Sequence, residues 1–198
     1  MLLLLTGPPA SGKTTIVNRL VEAFEALDIH PIVVSDSFNS EYNRTDEFYL
    51  DKRKSSDHTS ILRSEIMRLI TSDSKNLVIL DSLNYAKSQR YELSTIAKNN
   101  RKTFCNLFCD ADEETTTWLN GQRDDGYAAD VFEDLRSRFE RPKPHLKGDK
   151  PTIELQIGKD DQSKMPQNVE LPFDEICNVL MKGKPVAPNQ STTPYKFC

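Results

Sequence analysis

Leu2-Leu3-Leu4-Leu5-Thr6-Gly7-Pro8-Pro9-Ala10-Ser11-Gly12-Lys13-Thr14 opens the chain and ends in the pattern G-x-x-x-x-G-K-[ST]. The leucines form a short apolar run, stopped by Gly7-Pro8-Pro9, which reads as a buried strand. Beyond the pattern, Ile16, Val17, Leu20, Val21, Phe24 and Leu27 recur at helical spacing from a start near Lys13. A strand, a glycine-bounded loop and a helix in this order are the setting in which the pattern cradles phosphate. The glycines let backbone N–H groups curl inward onto phosphate oxygens. The helix N-terminus adds unpaired N–H groups and a dipole that favours an anion. Gly7, Pro8, Pro9, Ala10, Ser11, Gly12, Lys13, Thr14 and Thr15 are therefore the expected nucleotide contacts. Lys13 reaches the β- and γ-phosphates, and the Thr14 hydroxyl is placed for Mg²⁺.

Outward from this loop, strand-like and helix-like patterns alternate. Ile32-Val33-Val34 reads as a second buried strand, 77–80 as a third and 104–108 as a fourth. Residues 153–157 alternate in polarity and suit an edge strand. Helical patterns lie at 61–70, 91–97, 113–119, 128–139 and 173–180. Such alternation predicts βαβ units and a parallel sheet with helices on both faces. Residues 35–59 are too long and polar for an ordinary connection. The domain is expected over 1–181, and the proline-bearing 182–198 reads as a linker or disordered tail.

Two carboxylates stand where such a sheet gathers its ligands, beyond the carboxyl ends of its strands. Asp81 ends the run 77–80 and is expected to reach the metal through water. Asp36 follows Ile32-Val33-Val34-Ser35 and can hold metal-bound water or accept a proton from an attacking hydroxyl or water. Positive charge near the leaving oxygens is expected from a lid formed by helix 128–139 leading into Arg141-Pro142, in the stretch where Arg136, Arg138, Arg141, Lys143, His145 and Lys147 cluster. The tract 82–93 mixes Lys87 and Arg90 with Tyr85 and Tyr91, a combination that can pair with phosphate and stack on a base. Trp118 shares an apolar face with Leu119 and reads as core. His30 and His58 carry no visible partner in the sequence.

Composition narrows the class. The 198 residues hold 26 Lys+Arg against 30 Asp+Glu, a net charge of −4 that excludes a uniformly basic nucleic-acid coat. Cys105, Cys109, Cys177 and Cys198 form no C-x-x-C pair and no zinc spacing, which suits a reducing compartment. No run approaches the roughly 18 apolar residues of a membrane span. A cytoplasmic protein, with the nucleus also open to it and no membrane partner, is expected.

Three segments together resemble one family: Gly7 to Thr14; Asp-Ser-x-Asn-Tyr-x-Lys-x-x-Arg-Tyr-Glu-Leu at 81–93; and Phe-Glu-x-Leu-x-x-Arg-Phe-Glu at 132–140. The chain is similar, over roughly 2–180, to the Elongator-associated tRNA-dependent ATPase family founded on killer-toxin-insensitivity protein twelve, a relative of L-seryl-tRNA(Sec) kinase. The resemblance implies a P-loop NTPase fold of the kinase-like kind. It implies ATP and Mg²⁺ as cofactors, tRNA and the Elongator complex as partners, and hydrolysis in support of wobble-uridine modification. Lys13 and Thr14 match the family's phosphate and metal positions, Asp81 its second acidic motif, and Asp36 the Asp after strand two. The family's usual lid stretch, Arg-x-Arg-Trp-Asp, is replaced by His145-Leu146-Lys147-Gly148-Asp149, which leaves Arg138 or Arg141 to act from the lid. The family's usual second, helical domain does not appear in these residues, so the chain is expected to be either an isolated N-terminal catalytic domain with the start of a linker or a version that has lost its second half. A kinase acting on a hydroxyl of an aminoacyl-tRNA or small molecule, and a nucleotide-gated binding module, remain alternatives.

Overall fold

The computed structural model describes residues 1–42, 48–49, 51–71, 73–160 and 165–185. Five strands, β1 (Leu2–Thr6), β2 (Ile32–Ser35), β3 (Val78–Asp81), β4 (Phe104–Ala111) and β5 (Thr152–Ile157), form one sheet in the order β2-β3-β1-β4-β5. All pairings are parallel. Interleaved are helices α1 (Lys13–Glu25), α2 (Lys52–Leu69), α3 (Lys87–Asn99), α4 (Glu113–Gly121), α5 (Ala129–Ser137) and α6 (Phe173–Cys177). α6 runs on into a π turn over Asn178–Lys182. The residues from 186 onward, most of the expected linker, lie outside the described residues, as do 43–47 of the long polar segment.

β1 shows why its run is apolar throughout. Strand side chains alternate between the two faces of a sheet, and both faces here are covered. Leu3 and Leu5 pack with Ile16, Leu20 and Phe24 of α1 and Ile176 of α6. Leu2 and Leu4 pack on the other face with Leu62 and Ile66 of α2 and Leu93 and Ala97 of α3. Two helices gain first-turn support from acidic caps: Asp51 accepts from the N–H groups of Arg53 and Lys54, and Asp112 from Thr115.

Three sequence expectations need correction. β2 is an edge strand, not a buried one: Val34 is buried, but Ile32 and Val33 are 36% and 40% exposed because no strand among the described residues pairs beyond them. Trp118 is 40% exposed, since α4 turns its buried face through Thr115 and Thr116 instead.

The third correction concerns Arg90, in a tract read as able to pair with phosphate or equally to be an ordinary helix entry. Its side chain is wholly buried. Arg90 Nε donates to Asp149 Oδ1 at 2.7 Å, and Nη1 donates to the carbonyls of Asn84 and Tyr85, both at 3.0 Å. The Lys143 N–H donates to the second Asp149 oxygen at 3.0 Å. Glu140 N donates to Tyr85 O, and Lys87 N donates to Glu140 Oε2. The tracts 81–93 and 132–140 are thus joined to each other and to 143–149 by these bonds. Gly148, at φ 99°, lies so close to α3 that a Cβ there would stand 2.8 Å from the Tyr91 Cα.

Candidate functional site: the phosphate loop and its carboxylates

β1 is central, with β3 on one side and β4 on the other, and the strand order reverses across it. The crevice beyond the carboxyl ends of strands at such a switch point is where open α/β sheets bind ligands. The loop 7–12 fills that place. Ala10 and Gly12 both adopt left-handed backbone, φ 57° and 78°, and this curls successive N–H groups toward one point. Gly7 is needed for another reason: a Cβ there would stand 2.6 Å from the carbonyl oxygen of Cys109 on β4. At Gly12 a Cβ would stand 2.3 Å from Pro166 Cγ, so the segment after β5 is packed directly on the loop. Arg19 secures that segment by donating to the carbonyls of Pro166 and Val169 at 2.9 and 2.7 Å.

α1 begins at Lys13 with no side-chain cap and no acidic residue in its first turn, which leaves its N–H groups for an anion. Lys13 is buried under the loop, and its ammonium donates to the carbonyls of Gly7 and Pro8 at 3.1 and 2.8 Å and to Ser11 Oγ at 3.3 Å. These are loop groups, so the ammonium is held centrally above β1.

One cavity is lined by Ala10 to Thr15 together with Asp36, Asp81, Ser82 and Leu83. Thr14, Asp36 and Asp81 also line the space that continues from it toward solvent. The register explains the meeting of the carboxylates: Ser35 pairs with Asp81 across β2 and β3, so Asp36 leaves the sheet beside it. One hydroxyl and two carboxylates are a hard-oxygen set. Mg²⁺ favours such donors, with few protein ligands and phosphates completing the shell. These residues therefore fit the ion. Among the described residues no group of three or more His, Cys, Asp or Glu could hold a metal independently of the loop.

Asp36 is itself held. His58, from α2, lies with Nε2 3.0 Å from Asp36 Oδ1, and its Nδ1 lies 3.2 Å from Asn39 Nδ2. Asn39 Oδ1 accepts from the Glu41 N–H at 3.0 Å, which fixes the amide group with its donor toward the imidazole. An Nδ1 that accepts leaves the proton on Nε2, so His58 donates to Asp36. The ring stacks on Tyr42, with centroids 4.9 Å apart and planes 18° apart. Nothing in the sequence spacing marks His58, because 22 residues separate it from Asp36.

The expected lid arginines lie elsewhere. Arg138 pairs with Asp134 and stacks over Tyr85. Arg141 makes a two-toothed contact with Asp110 at 2.8 and 2.6 Å, reaches Glu154 at 3.1 Å and lies over the Phe108 ring. Neither lines the phosphate-loop cavity. Among the described residues the arginine that does is Arg123, in the turn between α4 and α5, beside Tyr127. Arg123 pairs with Asp125, which lines the outer space with Thr14, Asp36 and Asp81. Gly121-Gln122-Arg123-Asp124-Asp125-Gly126 carries no periodic signal and reads as a plain connection. Its one hint is a basic residue between two glycines, on the connection that follows β4 and α4.

The sequence profile described as "Chromatin associated protein KTI12" matches residues 1–197. The chain belongs to the KTI12 family. The "Protein KTI12 homolog" of Danio rerio is 32% identical over 196 residues, covering 96% of this chain and 66% of that protein. "Protein KTI12" of Saccharomyces cerevisiae is 31% identical over 195 residues, covering 95% of this chain and 59% of that one. The chain thus spans somewhat less than two thirds of the length of these KTI12 relatives. The crystal structure of Chaetomium thermophilum Kti12 in complex with ADP-AlF3 aligns with TM-score 0.74 at 29% identity, over 91% of this chain and 99% of that one. The Mycobacterium tuberculosis APS kinase CysC, in complex with AMPPNP and APS, aligns with TM-score 0.59 at 14% identity over 90% of this chain and 95% of that one, and shows the shared fold alone. The KTI12 chain here is therefore a P-loop, kinase-like α/β domain. Among the described residues no helix is long and apolar enough to cross a membrane.

Proposed function

We propose that the chain binds ATP with Mg²⁺ and hydrolyses it, with tRNA stimulating turnover, in support of Elongator-dependent wobble-uridine modification in the cytoplasm and nucleus. One observation carries the catalytic part: Lys13, Thr14, Asp36 and Asp81 line a single cavity at the switch point of the sheet. The relative solved with ADP-AlF3 supports nucleotide as the ligand. The tRNA and Elongator part rests on family membership.

In this reading the loop amides and the Lys13 ammonium hold the β- and γ-phosphates. Thr14 and Asp81 would hold Mg²⁺, which would supply positive charge against the charge that develops on the phosphates. Asp36 orients the attacking water and takes its proton as the new P–O bond forms and the bond to ADP breaks. His58 fixes Asp36 through one oxygen and leaves the other for water. Arg123 is the lid cation on the phosphates in place of Arg138 and Arg141. Catalysis here is positioning plus charge stabilisation.

A second reading, transfer to a hydroxyl, is favoured by one feature. Asp36 also lines a neighbouring cavity walled by Tyr49, Leu62, Leu83, Tyr85 and Leu93, where a hydroxyl-bearing acceptor could present itself to the same carboxylate. Phosphate release from labelled ATP, measured for wild type, Lys13→Ala and Asp81→Ala with and without total tRNA, tests the first reading. Label recovered on RNA or a small molecule, in place of free phosphate, would establish the second.

A further inference from the structure

The arginines and lysines around α3 behave differently. Arg63, Arg90, Arg136, Arg138 and Arg141 each have a carboxylate partner. Lys87, Lys98, Lys143 and Lys147 have none among the described residues. The carboxylates of this face are engaged otherwise: Glu92 with Arg63, Glu140 with the Lys87 N–H, Asp149 with Arg90. Glu140 keeps its charge, since its partner is a neutral N–H, but the four lysines outnumber it, so a chain of net charge −4 carries a locally positive surface here.

The placement is orderly. At about 100° per residue, Lys87, Tyr91 and Lys98 fall within roughly 40° of one another on α3, over a length of about 16 Å. Tyr91 is 40% exposed between the two lysines. The loop that brings Lys147 is fastened to this helix by the buried Arg90–Asp149 pair and by the close seat of Gly148 on Tyr91. Lys147 is exposed on that loop, and Lys98 is half-buried in the last turn of α3. Several lysines without a carboxylate partner on a rigid frame, with an open aromatic ring alongside, favour a ligand with repeated negative charges and planar groups.

We propose that the α3 face bearing Lys87, Tyr91, Lys98 and Lys147 is a docking surface for the phosphate backbone of RNA, with Tyr91 available for stacking on an unpaired base. It rests on the tRNA part of the function proposed above and assigns that contact to a surface away from the phosphate loop. An acidic protein could meet the lysines but gives Tyr91 no comparable partner. The lysine spacing spans two to three consecutive phosphates, roughly 6–7 Å apart, and each neutralised phosphate contributes to the salt dependence of binding.

Binding of fluorescent total tRNA to the 198-residue chain, measured by anisotropy across a salt series, tests this surface. Lys87→Glu/Lys98→Glu/Lys147→Glu is expected to weaken binding at least about tenfold and to flatten the log–log salt slope by about two to three. Its thermal midpoint and its affinity for ATP should match wild type, and the triple Ala variant should show the same direction with a smaller effect. Tyr91→Ala is expected to weaken binding of a single-stranded oligonucleotide about tenfold. If wild type binds tRNA and the triple variants bind equally well with an unchanged slope, this surface is wrong and the tRNA reading survives. If wild type binds no tRNA, both fall. Polyglutamate displacing tRNA as well as unlabelled RNA does would overturn the assignment in favour of an acidic protein partner.

Discussion

His58 Nε2 donates to Asp36 Oδ1 over 3.0 Å, and Asn39 dictates which ring nitrogen carries the proton. An aspartate beside a phosphate cavity is thereby given a fixed orientation by a residue two elements away. Replacing His58 by Phe should lower the turnover number for ATP by about tenfold or more, in the range seen when orienting partners are lost. Nucleotide affinity should stay within about twofold. His58→Gln keeps a donor and an acceptor on one planar group and should recover most of the rate. Steady-state kinetics with separate kcat and KM values, alongside direct nucleotide titration, check this.

Lys13→Ala should remove most nucleotide affinity and turnover, because the ammonium is the charge at the loop's centre. A loss of about 10²–10³ in turnover is expected where a preorganised charge or donor is deleted. Arg123→Ala should lower turnover more than Arg138→Ala or Arg141→Ala, since only Arg123 of the three lines the cavity. A side-by-side rate comparison of the three variants decides between them.

Gly12→Ala should destabilise the domain and abolish nucleotide binding together. The position needs φ 78°, and the new methyl would stand 2.3 Å from Pro166 Cγ. The left-handed backbone alone costs an L-residue about 1–2 kcal/mol, and displacing Pro166 adds to it. A lowered thermal midpoint with no further rise on adding ATP is the expected result.

Asp149→Leu leaves the Arg90 guanidinium buried without its counter-charge. Breaking such a pair costs about 3–5 kcal/mol, a drop of roughly 10 °C in midpoint for a domain of this size. Arg90→Met combined with Asp149→Leu should regain much of the loss, because a buried pair replaced as a unit by apolar groups is often neutral or better. Denaturant titration of the two singles and the double gives the coupling.

Burial pushes the thiols of Cys105 and Cys109 up from 9.0 to about 12, with Asp81 adding to the effect at Cys109 and Lys13 opposing it. Both should resist thiol reagents at neutral pH until the protein unfolds. The sign of the linkage follows from protons bound. Between about pH 9 and 12 the unfolded thiols are ionised and the folded ones are not, so the folded state holds more protons and stability falls as pH rises through this window. Thiol-reagent labelling in native and denaturing buffer, with midpoints above pH 9, tests both statements.

The sheet was legible because its evidence is local. Leu2 to Leu5, 77–80 and 104–108 are buried on both faces and therefore read as unbroken apolar runs. The loop was legible because phosphate chemistry restricts residue types at fixed spacing. Asp36 and Asp81 could be placed from their positions at strand ends. What escaped depends on contacts between distant residues. Arg90 looked like a surface cation because its partner, Asp149, lies 59 residues away. His58 showed no partner because Asp36 and Asn39 reach it only through the packing of α2. Arg123 hid in a turn, while the conspicuous charge cluster at 136–141 turned out to neutralise itself against Asp134, Glu133 and Asp110.

β1 occupies the middle of the sheet, with Leu2 opposite Val78 on one side and Phe104 on the other. A ribosome therefore delivers the phosphate loop long before either flanking strand exists. The loop's seat against Pro166 comes later still. During synthesis Leu2 to Leu5 must wait as an exposed apolar run, and contacts this far apart in sequence slow the closing of the sheet. The site for nucleotide is consequently completed only once Pro166 is in place, although its loop is made before both strands that flank β1.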